Sequence, residues 1–163
     1  MREEAVTVKL GLYQEKHYYA LMNFFLPEEQ KKFTGMPENA LPLALEDPDR
    51  TPVVILSEDN PVGFFVLHIG SEIFPFTNNP DAVLLRAFSI NHGEQGKGYA
   101  KQAMLLLAGF VKTLHPDKKE IILAVNAKNT SAKSLYLKTG FRDNGQEREG
   151  SRGMQHILHM NLS

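Results

Sequence analysis

The spacing of apolar residues changes period several times along the chain, and each change predicts an element. Residues 5–10 alternate apolar and polar and include Val6, Thr7 and Val8, as a half-buried strand does. Residues 15–25 carry Tyr18, Leu21, Met22 and Phe25 at helical spacing. Pro27 closes that segment, because the residue before a proline is pushed out of the helical region. Within residues 28–50, which are broken by Gly35, Pro37, Pro42 and Pro48, the stretch 38–46 holds Ala40, Leu41, Leu43, Ala44 and Leu45 and predicts a second short helix. Residues 52–56 and 62–69 are rich in β-formers and flank turn formers at 57–61, which predicts a hairpin with Asn60-Pro61 at its turn.

A loop at 71–81, with Pro75, Asn78, Asn79 and Pro80, leads to residues 82–90, whose composition suits a central strand. In 99–114, Ala103, Leu106, Leu107, Phe110 and Val111 recur every three or four residues and predict a helix that ends near His115-Pro116. Residues 120–125 form the next strand, 131–138 a helix that stops at Gly140, and 154–162 the last strand, after a polar section opened by Phe141. No repeat or linker divides the chain, so residues 1–163 are expected to form one domain. The order of strands and helices predicts an α/β fold, a mixed sheet with helices on both faces.

Composition narrows the function. The chain has 18 Lys and Arg against 19 Asp and Glu. It therefore offers no basic surface to neutralise a nucleic-acid backbone, and no nucleic-acid partner is expected. The absence of cysteine removes disulfides, thiolate metal sites and a cysteine nucleophile together. The start, MREEAVTVKL, lacks the apolar stretch of a signal peptide, and no run approaches the roughly 18 to 20 apolar residues needed to span a bilayer. A cytoplasmic protein with no membrane partner is the expectation.

The segment with chemical content is Gln95-Gly96-Lys97-Gly98-Tyr99-Ala100, two glycines between a strand and the first turn of an amphipathic helix. The first amides of a helix have no internal acceptor, and neighbouring glycines let a phosphate approach the backbone without meeting a Cβ. A pyrophosphate fits such a turn, with Lys97 adding charge; a tight turn made for packing is the plainer reading. A P-loop would need Ser or Thr after Gly-Lys, where Gly98 and Tyr99 stand, and a dinucleotide turn would need a third glycine where Lys101 stands.

The run Ile90-Asn91-His92-Gly93-Glu94-Gln95-Gly96-Lys97-Gly98-Tyr99-Ala100 resembles the acetyl-CoA-binding motif of the GCN5-related N-acetyltransferases, matching it at Gln95, Gly98 and Ala100. Asn126, Asn129, Ala132, Leu135, Tyr136 and Gly140-Phe141 resemble the family's next strand and helix. His92 departs from the pattern, standing where proline is common. The resemblance implies a mainly antiparallel central sheet in an acyl-CoA N-acyltransferase fold, with acetyl-CoA as cosubstrate and no metal. It also implies direct transfer of the acetyl group to a primary amine through a tetrahedral intermediate.

By the same resemblance, Gln95, Gly96, Lys97, Gly98, Tyr99 and Ala100 hold the pyrophosphate, and the backbone of Phe88, Ser89 and Ile90 lines the pantetheine arm. Asn129 contacts the cofactor or caps a helix, and Tyr136 is the general acid that protonates the departing thiolate. On its own Tyr136 reads as an amphipathic core residue. Glu72, His68 and His92 are the candidates for the base, with ordered water as the alternative. Arg86, a charge on a central strand, is expected to pair with Glu72 or Glu120, or to face an anionic part of the substrate.

Residues 24–36, with Phe24, Phe25, Phe33 and Met36 among charges, either close over the acceptor or cover one face of the sheet. A near-neutral chain with an acid-bearing N-terminal half points to a small-molecule amine rather than an acidic one. A non-catalytic acyl-CoA-binding regulatory domain and acetylation of a protein N-terminus are the alternatives. A homodimer is suggested by the resemblance alone.

Overall fold

A computed structural model describes residues 8–162. Its elements in chain order are β1 (Val8–Leu12), α1 (Tyr18–Met22), α2 (Glu28–Lys31), α3 (Pro37–Glu46), β2 (Arg50–Ser57), β3 (Asn60–His68), β4 (Ala82–Ile90), α4 (Tyr99–Leu114), β5 (Glu120–Asn126), α5 (Thr130–Lys138), β6 (Arg142–Gly150) and β7 (Gly153–Asn161). The strands form one sheet in the order β1-β2-β3-β4-β5-β7-β6, and β4 with β5 is its parallel pair while the other neighbours run antiparallel. This is the mixed, mainly antiparallel sheet expected. None of the helices among the described residues is long and apolar enough to cross a membrane.

Strand alternation divides the apolar side chains between two layers. Val53, Ile55, Phe65, Leu67, Leu123 and Val125 face α4 and α5, where Ala103, Met104, Leu107, Val111 and Tyr136 cover them. Val54, Leu56, Phe64 and Val66 face the N-terminal helices and pack under Leu21, Phe24, Leu26, Met36, Leu41 and Ala44. Residues 24–36 thus cover a face of the sheet with Phe24, Leu26 and Met36, while Phe33, Thr34 and Gly35 line the cleft described below.

Four local expectations are corrected. Of the first predicted strand, residues 5–7 lie outside the described residues, and the described strand continues to Leu12. The helix predicted over 15–25 is a 3-10 turn at Glu15–His17 followed by α1, which ends at Met22. Phe25 leaves it because its amide donates to Asn91 Oδ1 at 2.8 Å and its carbonyl accepts from the His92 amide at 2.9 Å. The hairpin turns at Glu58-Asp59, at φ of 51° and 70°, and Asn60-Pro61 opens β3 instead. Positive φ at both central residues suits the twist of a two-residue hairpin, and here it is adopted without glycine. The polar section after Phe141 contains β6, an edge strand too exposed to show an apolar alternation.

Gly63 on β3 sits where a Cβ would come within 2.7 Å of Ile55 Cδ1, 2.8 Å of Ile90 Cδ1 and 3.0 Å of the Ser89 carbonyl. Gly63→Ala is expected to cost about 1–3 kcal/mol by overpacking. In a chain of this size that lowers Tm by roughly 2–4 °C per kcal/mol in a thermal melt. An unchanged Tm would mean that β4 and the two isoleucines yield freely.

Candidate active site

The site begins where the parallel pair fails. β4 and β5 are in register at Ala82–Glu120, Val83–Ile121 and Leu84–Ile122, and beyond Leu84 they no longer pair. On its other side β4 is kept against β3 by Phe64–Ser89 and Val66–Arg86, which leaves Ala87 and Phe88 opposite Phe65, an inserted residue that bends the strand. Ala87 takes φ of 58° there. A non-glycine residue in this region costs of order 1–3 kcal/mol and persists where its surroundings hold it. The Thr34 hydroxyl does so by donating to the Phe88 carbonyl at 3.0 Å.

The cleft that opens between the strands has a volume of about 1060 Å³ and is lined by Phe88, Ser89 and Ile90 on one wall and Leu123, Ala124 and Val125 on the other. It exceeds the roughly 300–1,000 Å³ common for small-molecule sites, so it has room for an extended ligand. Ser89 Oγ is buried among its lining without a hydrogen-bond partner, a group that a bound polar chain would satisfy.

At one end the cleft meets the start of α4. Gly96 and Gly98 have φ of 81° and 85°, and a Cβ on either would find nothing within 4 Å, so the backbone there is open to an incoming group. The Gln102 amide bonds Gly98 O at 3.1 Å, and the amides before it in the first turn have no helical acceptor. Those donors and the macrodipole favour an anion. Gln95 and Ala100 line the cleft.

The Gln95 side chain braces the turn, donating to the Ile90 carbonyl at 3.0 Å and to Gln30 Oε1 at 2.8 Å. Gln30 therefore ties α2 to the turn, a contact that no sequence signal marked. Lys97 is exposed and paired with Glu94 at 3.0 Å, and that hydrogen bond holds its ammonium above its usual pKa. Tyr99 turns its ring away to accept from Ser57 at 3.3 Å, so what it offers the turn is its backbone amide.

Tyr136 projects from α5 into the cleft. Its ring meets the edges of Phe88 and Phe141, with centroids 6.3 and 5.8 Å away and planes inclined by 70° and 67°. This apolar collar pushes the hydroxyl far above the usual tyrosine pKa, by desolvation of the phenolate, so it keeps its proton at neutral pH. Both roles foreseen for Asn129 are compatible with its position: its Oδ1 caps α5 by accepting from the Ala132 amide at 3.3 Å, and the residue also lines the cleft. Gly140, at φ of 118°, follows the C-terminus of α5, and the Phe141 amide closes it on the Tyr136 carbonyl at 3.1 Å.

The base candidates fare differently. Neither Glu72, His68 nor His92 lines the cleft. His92 stacks edge-on against Phe25 at 5.6 Å, in the loop before the glycine turn. Glu72 stands on a 3-10 turn with its side chain 67% exposed and its carboxylate 3.5 Å from His68 Nε2. His68 is fully buried, and burial first, then the Arg50 and Arg86 charges, pull its pKa below the usual value.

Arg86 donates to His68 Nδ1 at 3.1 Å. A guanidinium only donates, so Nδ1 must accept and the imidazole is neutral with its proton on Nε2. The expected pairing of Arg86 with Glu72 or Glu120 is not made: Glu120 instead takes His159 at 3.2 Å and Asn79 at 2.8 Å. Asp47, His68 and Glu72 bring potential ligand atoms within 4.8 Å of one another. Arg50 already holds Asp47 at 3.3 Å and Arg86 holds His68, so a metal ion there would displace or face two guanidiniums.

Comparison with known proteins shows the family and the fold. The model of the Acetyltransferase (GNAT) family matches residues 15–141. Over 153 residues, covering 93% of this chain and 96% of the relative, the sequence is 48% identical to a Bacillus subtilis protein named as the uncharacterized N-acetyltransferase YbbJ. Among solved structures, AAC(6')-Ib in complex with parmomycin and acetyl-CoA superposes with a TM-score of 0.78 at 18% identity, covering 96% of this chain and 94% of that one. A spermidine N-acetyltransferase chimera that includes the Vibrio cholerae enzyme gives 0.70 at 17% identity, covering 96% of each chain.

Proposed function

Since this chain belongs to the acetyltransferase (GNAT) family, we propose that its β4–β5 cleft is where acetyl-CoA donates its acetyl group directly to the primary amine of a small molecule. The observation that carries the reading is the wedge itself: two strands that part after three registered pairs, with an open helix N-terminus at one end and a protonated tyrosine in the wall. The residues fit the cosubstrate. Gly96 and Gly98 leave the space a pyrophosphate needs, and Ser89 Oγ supplies an unsatisfied group beside the path of an amide-containing arm.

When bound, acetyl-CoA supplies an activated acyl group and a thiolate leaving group. Beyond the bulge at Ala87 and Phe88, a β4 amide near Ile90 is the donor that can steady negative charge on the acyl oxygen. Tyr136 holds a proton for the departing sulfur. Glu72 and His92 stand away from the lining, so the proton of the acceptor ammonium leaves through water in the open cleft.

A thermal scan with acetyl-CoA, CoA, ATP and NAD tests this reading. Acetyl-CoA at about 100 times its Kd should stabilise the protein by about 2.7 kcal/mol. ATP and NAD should have no effect, and thiol release should depend on added amine. Stabilisation by ATP alone would overturn the proposal, and acetyl-CoA binding without thiol release over a broad amine panel would remove the catalytic part of it.

A further inference from the structure

The cleft carries a guanidinium that no ion pair neutralises. Arg86 lines the cleft one residue before the bulge, is half-buried, and makes no ion pair with any described carboxylate. Its partner is the neutral His68 ring, a polar contact that leaves the charge uncompensated. Arg148, brought in by β6, also has no ion pair among the described residues; it donates to Gln155 Oε1 at 2.8 Å, and Gln155 lines the cleft.

Both guanidiniums face one ring, that of Phe76, with Arg86 Cζ 5.8 Å and Arg148 Cζ 4.3 Å from its centroid. Phe76 lines the cleft too and is held in place by Gln146, which donates to its carbonyl at 3.1 Å. Arg50, which lines the cleft as Arg86 does, is paired with Asp47. Glu72, the other acid nearby, is turned toward His68 and solvent. Arg50 thus has a carboxylate partner, while Arg86 and Arg148 have none among the described residues. Burial first, and next the Arg50 charge, pull the Arg86 pKa below its usual value, with the Glu72 carboxylate opposing them in part.

A half-buried cation without a partner is costly, and the cost is recovered when an anion docks. A guanidinium presents paired N–H donors that match the two oxygens of a carboxylate or phosphate. A polyamine or other polycation, by contrast, would place its second charge against Arg86 and Arg148.

Resting on the assignment of the cleft as an acetyl-transfer site, we propose that Arg86 and Arg148, across Phe76, form a subsite for a carboxylate or phosphate on the acceptor, so that the substrate is an anionic amine such as an amino acid. This reverses the direction that overall charge suggested. The N-terminal half is acid-bearing, but Arg50, Arg86 and Arg148 come from three different strands and meet only in the folded chain.

The test uses the full chain with matched acceptors: α- and ω-amino acids, their carboxamides and their decarboxylated amines, together with phosphoethanolamine against ethanolamine. The amino acid or the phosphorylated amine should exceed its neutral counterpart in kcat/KM by about tenfold, the value of a charge-assisted hydrogen bond near 1.4 kcal/mol. The first pair of arms reports a carboxylate preference and the second a phosphate preference. In Arg86→Gln that advantage should shrink to about twofold or less through a raised KM for the anionic acceptor, while acetyl-CoA still binds.

Equal or better turnover of the neutral or dicationic amines, or no turnover of any anionic amine by a protein that binds acetyl-CoA, would overturn the subsite. Because the wild-type comparison needs no variant, a misfolded Arg86→Gln would not rescue it. Failure to bind acetyl-CoA would count instead against the assignment of the cleft.

Discussion

Tyr136→Phe is expected to lower kcat for amine-dependent thiol release by roughly 10²-fold at neutral pH, as loss of a positioned acid does, with little change in acetyl-CoA affinity. The substitution keeps the ring between Phe88 and Phe141 and removes the proton donor. The pH dependence follows from the direction of the shift. Burial raises the Tyr136 pKa, so the hydroxyl stays protonated across neutral and mildly alkaline pH, and the wild type does not lose its acid there. The departing thiol has an ordinary pKa of about 8.5, so above that value its thiolate leaves without a proton. The gap between the two proteins should therefore be widest below about pH 8 and narrow as pH rises through the thiol range. Rates for both proteins from pH 6.5 to 9.5, under single-turnover conditions, provide the check. Equal rates at neutral pH would return Tyr136 to a packing role.

Gly98→Glu should weaken acetyl-CoA binding by about thirtyfold, the ~2 kcal/mol that a charge at a helix terminus can reach in a favourable setting. The carboxylate would enter the open space above the turn, where the pyrophosphate is proposed to lie. Gly98 is also the N-cap of α4 at φ of 85°, so any side chain strains the backbone. Gly98→Ala carries the same strain without the charge and separates the two effects. Both variants should show a similar fall in Tm, and the glutamate variant alone the larger part of the loss in calorimetric affinity. Wild-type affinity in a folded Gly98→Glu protein would move the pyrophosphate elsewhere.

What was legible in the sequence follows the range of the interactions concerned. α4 was readable over its full length because its period is local and its buried face continuous, and β4 because its first four residues, Ala82 to Leu85, are an unbroken apolar run. The glycine turn and the Asn129 to Phe141 block were readable for a related reason: a helix N-terminus, a cap and a C-terminal glycine are each made by residues close in sequence. β6 was not, since an edge strand exposed on nearly every residue is held by its pairing to β7 and by no pattern of its own. Phe25 was read as helical because its spacing fits, and tertiary hydrogen bonds to Asn91 and from His92 decided otherwise.

Local runs of the chain carry the family, the nature of the fold, the glycine turn at the start of α4 and the tyrosine that lines the cleft. Each depends on short runs of residues whose backbone preferences and periodicity are properties of the local chain. Long-range pairing set where β4 leaves β5, the positive φ of Ala87 with Thr34 bracing the bulge, and the place of His92 beside Phe25. It also decided that Arg86 is left without a carboxylate while Arg148 arrives across the same phenyl ring. Those features depend on strands far apart in sequence meeting in one register, and the charge that a substrate meets is a sum over such neighbours, which neither net charge nor spacing along the chain encodes.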